Sequence, residues 1–324
     1  MRDCYANYLI ALISGRSKEI VMTASTAVET APRPALPLRR PFQPGTRMWD
    51  ETGLITFSLT AGSAFLLQTM EPTISAVVDE HSTFRTDPVG RAVRSLSSVM
   101  MWVYGGEEGV AEADRLRSMH ASLNTTDASG FKHKALASFP WAWVLHTGTF
   151  AFTKNAKYFS RRPLTEAEKQ EYYEESLQLM RNFSVAPKEI PADYAEFEKF
   201  FDDVVENHLQ ATGTARDYLR TIRSVAPPEQ LPRFLWPLWK VLVDPIGRMQ
   251  YFVTVGTTPE PARRKLGLTW TESDERKLRV LGWFIARLVP LLPERVRYFP
   301  IAYEARKLER DRARLRTVIR KRPI

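Results

Sequence analysis

Five histidines are the scarce chemistry-bearing side chains of this 324-residue chain: His81, His120, His133, His146 and His208. Four of them fall between positions 81 and 146, beside the arginines of DPVGRAVRS and DRLRSMH. A neutral imidazole can ligate a metal or move a proton near neutral pH, whereas arginine offers donors that no working pH removes. His120 follows Arg117 by three residues and Ser95 follows Arg91 by four, so on helices each pair shares a face. A guanidinium turned inward is costly unless something polar or anionic meets it. Two arrangements satisfy that rule. The arginines pair with Asp87, Glu112 or Asp114 at the surface, or they face a site. For any one histidine taken alone, a hydrogen-bonded core or surface role is the simpler reading.

Several familiar chemistries are excluded. The chain has no G-x-x-x-x-G-K-[ST] phosphate loop, no strand-linked G-x-G-x-x-G, no G-x-S-x-G elbow and no H-E-x-x-H. No histidine has a glutamate three residues before it, which argues against a di-iron carboxylate bundle. Cys4 is the only cysteine, so neither an intrachain disulfide nor a multi-cysteine zinc site can form.

The elements that must position these side chains read as helices throughout. LITFSLTAGSAFLLQTM, 54 to 70, is almost wholly apolar and predicts a helix buried on most faces. Pro72 suits the first turn of a short helix through Val78. Asp87 and Pro88 form an N-cap and N1 pair opening RAVRSLSSVMMWVYG, which Gly105 and Gly106 close before the amphipathic EEGVAEADRLRSMHASL. PWAWVLHTGTFAF is apolar, and Thr165 with Glu168 makes a capping box ahead of an amphipathic helix. IPADYAEFEKFFDDVVENHLQ and TARDYLRTIRSV follow the same pattern. The prolines of PPEQLPRFLWPLWKVLVDP predict a break into shorter helices, and no alternating strand pattern of useful length appears. The fold class is all-α, a multi-helix single domain spanning 48–305.

The formal charge of +9 sits in the ends. Residues 306–324 carry nine Lys or Arg against Glu309 and Asp311, while 48–305 is slightly acidic. That basic C-terminal tail is either a solvated helix end or a peripheral contact with phosphates or an anionic membrane. With no basic stripe continuing across the core, a specific nucleic-acid partner ranks last. Residues 1–47, rich in Pro, Ala and Thr after Met22, read as a flexible leader, and Met1 and Met22 are both candidate starts. YANYLIALISG is too short to span a bilayer and lacks a signal-peptide pattern, so the expected location is cytoplasmic.

EHSTFRTDPVGRAVRS, then EADRLRSMH, HTGTF, PLTEAEKQEYYEE and LPERVRYFPIAYEARKLER occur in order in the stretch from about Leu54 to Arg306, the last of them running on to Arg310. This succession resembles the oxygenase family that groups the MpaB enzyme of mycophenolic acid biosynthesis with the latex clearing proteins, DUF2236. The resemblance implies a helical domain with a globin-like core that holds one haem b. It implies His120, of the Arg117-x-x-His120 motif, as the axial iron ligand, with Arg91 and Ser95 lining the opposite haem face in place of an Arg-x-x-x-Thr pair. His146 is then a pocket residue beside the cofactor and His133 a more exposed one. The rubber-cleaving members use a carboxylate base, for which Glu71 and Glu80 are the candidates here; Glu71-Pro72 stands where many relatives have His-Pro. The function implied is a haem-dependent oxygenase using dioxygen on an apolar substrate of the isoprenoid kind. The alternative is a non-catalytic helical protein of the same fold that binds a lipid or small molecule.

Overall fold

The computed structural model describes residues 38–227 and 232–321. Most of the leader, with Cys4 and Met22, lies outside the described residues, as does the end of the tail from 322. The described residues form fourteen α-helices and one small sheet, an all-α architecture. The first part comprises α1 (Arg47–Glu51), α2 (Phe57–Thr69), α3 (Pro72–His81), α4 (Pro88–Tyr104) and α5 (Glu107–Ala121). Next come β1 (Asn124–Thr126), β2 (Lys132–Lys134), α6 (Ser138–Phe159), α7 (Glu166–Asn182), α8 (Tyr194–Asp203) and α9 (Gly213–Arg223). The chain ends with α10 (Trp236–Thr257), α11 (Glu260–Leu266), α12 (Glu272–Leu288), α13 (Glu294–Arg297) and α14 (Pro300–Arg320).

The apolar helix α2 is the centre, packed along α6 on one side and α10 on the other. It buries residues on several faces, among them Phe57, Ala64, Leu66 and Leu67, as its near-continuous apolar run requires. Leu66 and Leu67 join Trp143, Phe150, Tyr173, Phe197 and Phe201 in the main core. The one polar atom of the Trp143 ring is satisfied there: Nε1 donates to the Leu67 carbonyl at 3.1 Å. The capping box of Thr165 and Glu168 starts α7 as the sequence predicts. From α7, the Glu175 carboxylate accepts from the backbone N–H groups of Arg47 and Met48, at 2.9 and 2.6 Å, and so caps α1.

Four local features depart from the sequence reading. The proline-rich stretch near 240 does not break into pieces, since α10 runs unbroken through Pro245. Pro237 occupies the first turn, where its missing N–H costs nothing, and Pro245 forfeits one bond toward Val241, which lies on the exposed face. A short antiparallel hairpin interrupts the helices, its turn organised by Asp127 Oδ1, which accepts from Ser129 N and Phe131 N. The VVENH segment after α8 widens into a π-turn, Val204–His208. Finally, α3 runs on from Val78 to His81.

Two chain ends also gain definition. Within residues 38–46, Phe42 is buried and Arg40 bonds the Gln178 side chain at 3.1 Å. At the other end the basic segment continues α14 as helix to Arg320. Among the described residues, no helix is long and apolar enough to cross a membrane.

Candidate active site

Local sequence builds a helical hairpin from α4 and α5. Asp87 caps α4 by accepting from Gly90 N at 2.9 Å, and Pro88 sits at N1, where its fixed φ suits the first turn. Gly106 turns the chain with φ of 60°, a conformation that L side chains rarely adopt. Gly109 then lets α5 approach α4 closely, for a Cβ there would lie 2.5 Å from the Met101 carbonyl oxygen. The two helices pack along each other, which places Arg91, in the first turn of α4, near His120, in the last turn of α5.

His120 is partly buried, and its Nδ1 lies 2.7 Å from the Leu116 carbonyl one turn earlier. A carbonyl accepts only, so Nδ1 carries the proton and Nε2 keeps its lone pair. No described residue hydrogen-bonds Nε2. Burial holds the imidazole below its ordinary pKa; the Leu116 bond opposes that effect, and the charges of Arg91 and Arg115 reinforce it. The ring is therefore neutral at pH 7. Its edge meets the Trp141 ring, with centroids 5.4 Å apart.

Arg91 donates to Ser95 Oγ, and that hydroxyl in turn donates to the Arg91 carbonyl at 3.0 Å. The guanidinium also lies 5.7 Å from the Phe65 ring centroid on α2. Burial and the neighbouring Arg94 charge pull its pKa down, yet it remains a cation. The three acids that would make it an ordinary surface arginine are taken: Asp87 pairs with Arg94, Glu112 with Arg115 and Asp114 with Arg39. Among the described residues, neither Arg91 nor Arg117 has a carboxylate partner. The sequence left open whether these arginines pair at the surface, and the structure shows that those acids pair elsewhere.

The other candidates stand apart from this cluster. His146 is fully buried in α6, where Nε2–H donates to the Glu189 carbonyl at 2.8 Å and the ring packs against Phe197 and Phe200. Its Nδ1 has no partner, and burial pulls its pKa down to about 4. Glu71 is buried; Oε2 caps α3 by accepting from Ile74 N at 2.6 Å, and Oε1 lies 3.3 Å from His208 Nε2. Glu80 is exposed beside His81. His133 is not the more exposed histidine expected. It is buried between Thr73 Oγ1 and Asp127 Oδ2, each 3.1 Å away, because the β-hairpin folds its ring inward against α3.

Two cavities of about 310 and 390 Å³ flank other parts of the molecule, and neither is lined by Arg91, Ser95 or His120. The sequence reading missed Phe65 beneath Arg91 and the Leu116 carbonyl behind His120. The second had a signal, because a residue four before a helical histidine presents its carbonyl to that ring.

The family described as "ER-bound oxygenase mpaB/B'/Rubber oxygenase, catalytic domain" matches residues 49–287. The chain belongs to this family. The match takes in the whole α4–α5 hairpin, and the domain is that of an oxygenase catalytic family. It ends before the LPERVRYFPIAYEARKLER segment, so the likeness there rests on sequence alone. No curated protein and no solved structure shows a significant match to the chain.

Proposed function

We propose that this MpaB and rubber oxygenase family member is a haem-dependent oxygenase acting on an apolar substrate of the isoprenoid kind. One observation carries the reading: His120 has its tautomer fixed by the Leu116 carbonyl, leaving Nε2 bare near Arg91, which has no carboxylate partner among the described residues. Metal-binding histidines usually donate their second N–H to such a carbonyl, and so the donor set fits an iron porphyrin with one protein ligand. His120 would hold the iron and Arg117 would lie on the same helix face. Haem b, when bound, supplies an iron centre for dioxygen chemistry.

The chain's own residues contribute position and charge. Leu116 orients the imidazole, and Ser95 holds the Arg91 side chain by the bond between them. Arg91 offers donors to negative charge that develops on oxygen, in a site where burial strengthens that attraction. Glu71 is the candidate base, since it is the buried carboxylate of the two, with the His208 Nε2–H donating to its Oε1 at 3.3 Å. His146 ties α6 to the Pro187–Glu189 turn and packs against Phe197 and Phe200.

A second reading, a helical lipid- or small-molecule-binding protein of the same fold, is favoured by one observation. Both Glu71 oxygens are engaged, and no contact joins Glu71 to the Arg91 and His120 cluster. The absorption spectrum of protein purified with haem supplied tests the first reading. A Soret band is expected, and His120→Ala is expected to lose it. Absence of the band, or its persistence in that variant, sinks the haem assignment. Oxygen uptake with unsaturated hydrocarbons then separates the enzyme from the binder.

A further inference from the structure

Large apolar side chains are exposed along one face of α10 and one face of α12. On α10 they include Leu238, Val241, Leu242 and Ile246, with Val241 70% exposed; steps of three and four residues from Leu238 through Leu242 to Ile246 put them on one side. On α12, Trp283, Phe284 and Leu288 do the same, with Trp283 50% exposed. The two helices pack against each other. Soluble monomers rarely leave contiguous apolar patches larger than roughly a few hundred Å² uncovered.

Charge indicates what covers this face. Segments 234–249 and 276–297 together carry eight Lys or Arg against Asp244 and Glu294, and two of the eight, Lys277 and Arg279, are paired with Asp274 and Glu275 in the first turn of α12. Lys240, Arg248, Arg276 and Arg295 have no carboxylate partner among the described residues. Arg287 lies 3.9 Å above the Trp283 ring, an arrangement that keeps an apolar plane and a cation side by side. Along α14, by contrast, Arg310, Arg312 and Arg314 are ion-paired with Glu294, Glu309 and Asp311, which weakens the tail as a site for an outside anion.

We propose that the exposed face of α10 and α12 is a docking surface for an anionic lipid bilayer, with its apolar side chains entering the interfacial layer and the surrounding cations meeting lipid phosphates. Interfacial helices of this kind combine Trp, Phe and Leu on one face with Lys and Arg around it. The inference is independent of haem, because no residue of the hairpin takes part. It also gives an oxygenase of apolar substrates a route to them, since such molecules partition into bilayers.

The test is flotation of the purified full-length protein with vesicles of phosphatidylcholine alone and of phosphatidylcholine mixed with phosphatidylserine, at low and high salt. Binding to the anionic vesicles that weakens with salt is expected. Lys240→Gln and Arg287→Gln are each expected to weaken it roughly fivefold, the effect of one basic residue near a charged bilayer. Val241→Asp with Trp283→Ser is expected to abolish it, while circular dichroism stays unchanged because all these positions are exposed. Three results would overturn the proposal: no vesicle binding at low salt, binding that survives all four substitutions, or a dimer in solution that Val241→Asp dissociates, which would assign the face to a second copy.

Discussion

Replacing His146 by Gln should flatten the acid side of the stability profile. The ring is wholly buried, its Nδ1 has no acceptor to receive a proton, and its pKa falls to about 4 from the ordinary 6.5. A histidine freed by unfolding takes up a proton in mild acid, whereas the folded one does not, so the unfolded state binds more protons and stability falls as pH drops. With those two values the linkage relation gives a loss of about 2 kcal/mol between about pH 7.5 and about pH 5. The loss approaches about 3 kcal/mol once the pH passes below the folded value. His120, also held below its ordinary value, adds in the same direction, whereas Glu51 and Glu175, both raised by burial, oppose it. The variant isolates the His146 contribution, because Gln keeps an N–H for the Glu189 carbonyl and carries no titrating group. Urea melts of both proteins across this range measure the difference. Parallel profiles would refute the account of a buried ring that stays neutral.

Three further outcomes follow from the same geometry. Gly109→Ala sets a Cβ 2.5 Å from the Met101 carbonyl, so it should cost roughly 1–3 kcal/mol and lower haem retention, read by thermal melts and the Soret band. Glu71→Ala removes the cap of α3, with an expected loss of about 1 kcal/mol in chemical denaturation; Glu71→Gln keeps most of the cap and loses turnover if Glu71 is the base. Arg91→Met relieves a partly buried cation that has no acid partner. It should leave the haem-free protein as stable or about 1 kcal/mol more stable while weakening the haem complex, by urea melts and haem titration.

Helices were legible wherever a cap and a periodic face coincided. Asp87 with Pro88, and Thr165 with Glu168, fixed two starts from local chemistry alone. The run through Pro245 was not legible, because a proline's cost depends on whether the carbonyl it abandons faces water, which is a tertiary fact. The inward ring of His133 was hidden for the same reason, since a three-residue strand leaves almost no period to read. At the site, the pairings of Arg91 with Ser95 and of Arg117 with His120 came from spacing, and the roles came from family resemblance. What spacing could not supply was which acids were already occupied. Only the partners of Asp87, Glu112 and Asp114 turned Arg91 from an ordinary surface arginine into a partly buried cation with no acid partner among the described residues.

The α4–α5 hairpin works as a caliper. Arg91 and His120 stand at the tips of its two arms, and no hydrogen bond between them holds the gap, which is set by the number of residues in each arm and by the turn at Gly105 and Gly106. Deleting one residue within α5 would swing His120 about 100° around the helix axis and shorten the arm by about 1.5 Å. Substitutions along the outer faces would leave the gap untouched. The site is thus sensitive to arm length and tolerant of outer composition, and length variants of this hairpin are where the spacing between imidazole and guanidinium can be reset.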